Sequence, residues 1–276
     1  MRHAPEVFFL ASASGRGQRL CVHHRPHGPT ALGAIVYVHP FAEEMNKSRR
    51  MAALQSRAFA QAGYAVLQID LLGCGDSSGD FGDATWADWV DDVVDAARWM
   101  AQRHTQPLWL WGLRAGCLLA CEAAQRIDPP CKLLLWQPPA TGKLLLQQFL
   151  RLKLAGDMLG GQAKGAMDKL RSQLAAGEAV EIAGYALAPA LTSGLESATL
   201  TAPPVPGQIA WLELSTREDA ALLPASERVI EQWQRAGHEL TAEVAQGPAF
   251  WQTSEIEEAS ALIDSTLAAL AETAAA

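Results

Sequence analysis

Long apolar runs are missing from this chain of 276 residues. The richest stretch, Leu144 to Leu154, is broken by Gln147, Gln148, Arg151 and Lys153, whereas a membrane span needs about 20 mostly apolar residues. The leading segment, Met1 to Val7, carries His3 and Glu6 without an apolar centre, which does not fit a secretory signal; a cytoplasmic protein is expected. Positive charge is short, with Lys and Arg at 22 against 30 Asp and Glu, a net charge of -8. That leaves no basic face for a phosphate backbone, so a nucleic-acid partner is not expected. Cysteine is sparse and unpatterned: Cys21, Cys74, Cys117, Cys121 and Cys131 form no CxxC pair. An odd, scattered set fits free thiols in a reducing compartment. Cys117 and Cys121 stand one helical turn apart, but with no further ligands nearby they read as small core residues. Neither a metal nor a cofactor is expected.

Apolar residues, at 49% with 19% charged, suffice for a large core and exclude general disorder. Ala34 to Val38 is a continuous β-branched and apolar run, the pattern of a strand covered on both faces of a parallel sheet. A polar loop, His39 to Lys47, leads to a helix expected from Ser48 to Ala62. Tyr64 to Ile69 gives a second strand, followed by the glycine-rich loop Asp70 to Gly79. Thr85 caps a helix with apolar spacing at Trp86, Trp89, Val93 and Ala97; Trp86, Trp89 and Trp99 read as core. Leu108 to Trp111 is a third strand, turned by Gly112-Leu-Arg-Ala-Gly116 into a helix reaching Ile127, and Lys132 to Trp136 is a fourth.

After Pro138-Pro139 the alternation stops. It resumes at Ile209 to Leu214, then a helix from Pro224 to Ala236, a strand from Glu239 to Ala245 and a helix from Ser254 to Leu270, with a frayed Ala-rich end to Ala276. Such alternation requires a mostly parallel, doubly wound α/β sheet with helices on both faces. The expected division is a core of residues 1–139 and 205–276 with an inserted helical cap at 140–204.

The strand running into Gly112-x-x-x-Gly116 and a helix resembles the nucleophile elbow of the α/β-hydrolase superfamily. His39-Pro40-Phe41 stands where that superfamily has its oxyanion loop, and Asp70 to Gly79 is similar to its Asp-x-x-Gly-x-Gly-x-Ser loop. A narrower resemblance rests on His39 to Met51, Gly112 to Gly116 and Pro248-Ala-Phe-Trp-Gln252, which look like the second hydrolase associated with exosortase A systems. That resemblance implies a bacterial protein accompanying machinery that sorts Pro-Glu-Pro-tagged proteins and makes exopolysaccharide, with a companion hydrolase as a partner.

The resemblance makes the departures informative. Acyl transfer on this fold needs a hydroxyl or thiol at the elbow, an imidazole to take its proton and a carboxylate to orient the imidazole. The elbow position is Arg114, whose guanidinium stays protonated and does not attack a carbonyl. The loop after the last strand, where the histidine belongs, reads Gln246-Gly-Pro-Ala-Phe250-Trp251, and His238 precedes that strand. Asp219 or Glu218 remains as a residual acid without a partner. Cys117, Cys74 and Ser77 are weak substitutes for the nucleophile: the first points into the core, the second is a small loop residue, and the third bonds within its own turn.

A cation at a helix N-terminus meets the positive end of the macrodipole, at a cost of about 0.3–1 kcal/mol. Either Glu43 or Glu44 pairs with Arg114 and closes the site, or Arg114 joins the helix N–H groups in holding an anion. His39 holds its loop, the N–H groups of Phe41 and Ala115 are the candidate oxyanion donors, and Trp251, beside Phe250, lines the pocket mouth. Asn46, Lys47, Ser48 and Arg49 cap the next helix or reach a partner. Three functions compete: a degenerate hydrolase binding an anionic or acyl ligand, an active hydrolase or acyltransferase with an unconventional nucleophile, and a non-catalytic scaffold for the exosortase pathway.

Overall fold

The buried apolar runs of the sequence become the middle of one sheet. The computed structural model describes residues 4–159 and 165–275; residues 160–164 of the expected cap, His3 and the terminal Ala276 lie outside them. In chain order the core elements are β1 (Glu6–Ala11), β2 (Gln18–His24), β3 (Gly33–Val38), α1 (Glu43–Gln61), β4 (Tyr64–Ile69), α2 (Trp86–Ala101), β5 (Leu108–Leu113), α3 (Ala115–Ala124) and β6 (Lys132–Trp136). An excursion follows: α4 (Gly142–Leu159), α5 (Ala166–Ala175), β7 (Val180–Ile182), β8 (Tyr185–Leu187) and α6 (Pro189–Ser197). The chain then closes with β9 (Gln208–Ser215), α7 (Pro224–Arg235), β10 (Glu239–Gln246) and α8 (Ser260–Ala275).

Among the described residues the main sheet has eight strands in the order β1-β2-β4-β3-β5-β6-β9-β10. From β4 to β10 all pairs are parallel; only β1 with β2 and β2 with β4 are antiparallel. Because side chains alternate across a strand, each parallel strand feeds two cores. Ile35, Tyr37, Val66, Trp111 and Trp136 pack with Met51 and Phe59 of α1 and Leu262 of α8. Val36, Val38, Leu67, Leu110 and Leu135 pack on the other face with α2, α3 and Trp233 of α7. This is the doubly wound α/β arrangement expected.

Four of these elements depart from the sequence reading. The first two strands were not anticipated: β1 alternates exposed and half-exposed residues, with Val7 and Phe9 on the surface, so it lacks the run that marks a covered strand. Helix α1 begins at Glu43 rather than Ser48, because Ala42 makes the turn at φ 50° and two acidic residues sit in the favourable first turn. Asn46 to Arg49 are therefore inside the helix, where Ser48 donates to Glu44 O and Arg49 meets Asp70. Helix α8 begins at Ser260 rather than Ser254, since Thr253 Oγ1 donates to Phe250 O and Glu255 O and holds the preceding loop.

The β6–β9 excursion is fastened at its neck by Gly142 N donating to Ala198 O (2.9 Å) and Leu200 N to Ala140 O (3.1 Å). Its short antiparallel pair, β7 with β8, was not anticipated. Among the described residues no helix is long and apolar enough to cross a membrane.

Candidate functional site

The turn from β5 into α3 is built by backbones in contact. A Cβ on Gly116 would lie 2.1 Å from Val38 O, and one on Gly112 would lie 2.5 Å from Gly116 O. Only glycine permits this approach, and it drives the residue between them to the apex. That residue is Arg114, the N-cap of α3, at φ 54° and ψ -116°. A non-glycine residue is held in such a conformation at a cost of about 1–3 kcal/mol.

The Arg114 side chain is buried and its charge is met. Nη2 donates to Glu44 Oε1 at 3.1 Å, Nε donates to the two oxygens of Glu44 at 3.3 and 3.4 Å, and Nη2 also reaches Gln148 Oε1 at 2.7 Å. The guanidinium carbon lies 5.7 Å from the centre of the Trp251 ring. Burial raises the Glu44 pKa, and Arg114 opposes that rise. Of the two glutamates expected near the elbow, Glu44 makes the pair; Glu43 lines the adjoining cavity instead.

That cavity, of about 240 Å³, has walls of Phe41, Leu145, Phe149, Leu152 and Trp251, with Glu43, Glu44, Lys47, Gln148 and Gln252 as its polar members. Phe41 and Phe149 meet edge to face at 5.1 Å, joining the loop after β3 to α4. Among the described residues His39, Ala115 and Phe250 do not form this wall. His39 is buried, its Nδ1–H donating to Pro40 O at 2.8 Å while Nε2 accepts from Leu71 N at 3.2 Å. Desolvation lowers its pKa, keeping the ring neutral. Phe250 belongs to the core: it is fully buried against Trp136 and Trp251. No histidine follows β10; His238 precedes it, accepting from Gly207 N at 3.3 Å.

The sequence profile of the family described as Serine aminopeptidase, S33 (Hydrolase_4) matches residues 29–172, over half of the chain. The chain belongs to this family of α/β hydrolases. Est1E from Butyrivibrio proteoclasticus, solved with ferulic acid, superposes with a TM-score of 0.68 at 15% identity, covering 98% of this chain and 100% of that one. XC6422 from Xanthomonas campestris, described as a serine hydrolase without a lid, gives 0.60 at 15% identity, with 99% and 96% covered. A serine hydrolase homologue from Coxiella burnetii gives 0.55 at 14%, with 98% of each chain covered. These likenesses concern the fold. No curated protein matches the chain.

Within this hydrolase family member none of the sequence-derived catalytic acids and nucleophiles lines the cavity beside Arg114. Glu218 and Asp219 are exposed, and Asp219 lines a separate cavity of about 380 Å³ with Gln137, Glu213 and Ser215. Cys117 is fully buried, its thiol facing Gly112 O at 3.2 Å and Trp136 O at 3.4 Å, and burial pushes its pKa well up. Cys74 is buried, with its thiol pKa likewise raised by burial. Ser77 Oγ donates to Asp70 O at 2.5 Å and accepts from Leu20 N at 2.9 Å, so both its roles are structural.

Two polar residues of this region were not found from the sequence. Gln148 sits mid-helix in α4 with nothing local to mark it; only the fold brings it to Arg114. Glu213 is buried in β9, accepting from Trp211 Nε1 at 2.9 Å; a carboxylate inside an apolar strand was the available signal.

Proposed function

We propose that this chain is a degenerate member of its hydrolase family, which has abandoned triad chemistry and uses the pocket beside the elbow to bind a molecule with an apolar, acyl-like body. One observation carries the reading: the elbow side chain is a guanidinium held by Glu44 and Gln148, and the histidine loop presents a fully buried Phe250. A nucleophile cannot be made from the first, nor a proton acceptor from the second. Because Glu44 already neutralises Arg114, an anionic ligand has to displace a carboxylate, whereas the walls of Leu145, Phe149, Leu152 and Trp251 suit an alkyl or aryl group directly. The segment 140–204 serves, in this reading, as the cap that supplies three of those walls.

The narrower resemblance to the second exosortase-associated hydrolases supports a pathway role beside a companion hydrolase, with the bound molecule as the link. The test is quenching of tryptophan emission by octanamide and octanoate in the wild type and in Leu145→Glu. Saturable quenching by octanamide that is lost in Leu145→Glu supports the reading. Equal quenching in both proteins removes it.

A further inference from the structure

Away from Arg114, beside β1, β2 and the end of α2, lies a further cavity of about 510 Å³. His104 lies ahead of the first residue of β5, while Arg114 follows its last, so the sheet separates the two sites. The walls carry His23 from β2, Arg25 just after it, Glu6 from β1, and Trp99, Arg103 and His104 from the end of α2. Four of these six are cations or imidazoles, an unusual concentration in a chain of net charge -8.

Their hydrogen bonding is incomplete. His23 is buried, with 6% of its surface exposed, yet neither ring nitrogen has a partner, and Nδ1 stands 3.9 Å from Glu6 Oε2, beyond hydrogen-bond reach. His104 Nε2 is also buried and unpartnered. A buried polar group without a partner costs about 1–3 kcal/mol, which a ligand acceptor would relieve. Arg103 is already oriented: its guanidinium lies 3.8 Å from the Trp99 ring centre and donates to Trp99 O at 3.1 Å, leaving further N–H groups. Arg25 is held by Glu6 at 3.1 Å, but that pair is exposed and therefore weak. Among the described residues no three His, Cys, Asp or Glu side chains gather as a metal set.

We propose that this cavity is a binding site for a small oxyanion, a phosphate ester or a carboxylate, which takes the place of the Glu6 carboxylate beside Arg25 and accepts hydrogen bonds from Arg103, His23 and His104. The geometry offers two planar guanidinium forks and two imidazoles around one opening, and the resident carboxylate shows where negative charge is accommodated. The titratable and charged groups facing His23 are Glu6, His24, Arg25 and His104. Burial, and then His104, keeps the His23 ring neutral in the empty site. An anion reverses that balance, so binding strengthens as pH falls.

The test is calorimetric titration of the full chain with sulfate, which does not titrate between pH 6 and 8, and with acetate. Sulfate binding at least threefold tighter at pH 6 than at pH 8 is expected, weakened at least fivefold in Arg25→Gln and His104→Ala and strengthened in Glu6→Gln. Preference for acetate over sulfate would assign the site to carboxylates; the reverse, to phosphate-like groups. No binding of either anion overturns the proposal. So does binding that persists in Arg25→Gln and His104→Ala but is lost in Arg114→Ala, since that places the anion at the elbow. Circular dichroism of each variant confirms that it is folded.

Discussion

Arg114 and Glu44 meet at 3.1 Å between the apex of the elbow and the first turn of α1, both side chains almost out of solvent. The pair occupies the place where the fold otherwise presents a nucleophile to substrate. Breaking a buried pair leaves a charge uncompensated, at a cost of about 3–5 kcal/mol. Urea unfolding of Arg114→Ala is expected to show a loss of that order, and Arg114→Ala with Glu44→Gln to recover much of it. Equal stability of all three proteins would mean the pair is not formed.

Backbone strain adds a second effect at the same residue. At φ 54° glycine has no Cβ penalty, so Arg114→Gly should be more stable than Arg114→Ala by about 1 kcal/mol. Denaturant midpoints of the two variants check this.

The glycine-rich loop wraps the Arg49–Asp70 pair so tightly that a Cβ on Gly75 would stand 1.9 Å from Asp70 Oδ2, and Gly75 itself has φ 55°. Gly75→Ala is expected to lower stability by about 1–3 kcal/mol, measured by thermal unfolding. Gly184→Ala, with positive φ but open space around it, isolates the conformational part.

Acid stability should report His23. Its pKa falls from 6.5 to about 4 in the folded chain, through burial first and His104 second. The unfolded chain therefore takes up a proton first, so this residue's contribution is intact above pH 6.5 and is lost as pH drops from 6.5 to about 4. His23→Phe should flatten the stability curve over that window in an unfolding series across pH.

Strands covered on both faces were legible in the sequence because burial removes polar residues from them, as at Ala34 to Val38 and Lys132 to Trp136. The β1–β2 pair was not legible, because β1 is largely exposed and β2 interleaves buried with exposed or half-buried residues, so neither has the continuous apolar run of a covered strand. Within the site, two glycines four residues apart located Arg114, and the cost of a cation at a helix start pointed to a nearby glutamate. Choosing Glu44 over Glu43 needed the true start of α1, five residues earlier than its composition indicated. Phe250 was expected at the pocket; an aromatic residue beside glycine and proline gave no sign that its ring turns into the core.

All five cysteines are buried free thiols. Iodoacetamide is expected to label none of them in the native protein within the time that labels all five in denaturant, as read by intact mass.

The most direct measurement is fluorophosphonate labelling of the native protein, together with hydrolysis of p-nitrophenyl butyrate. An elbow occupied by Arg114 and a histidine loop without histidine predict no adduct and no turnover above buffer. A stoichiometric adduct on any serine, with ester hydrolysis that disappears when that serine is replaced by alanine, would contradict the loss of triad chemistry.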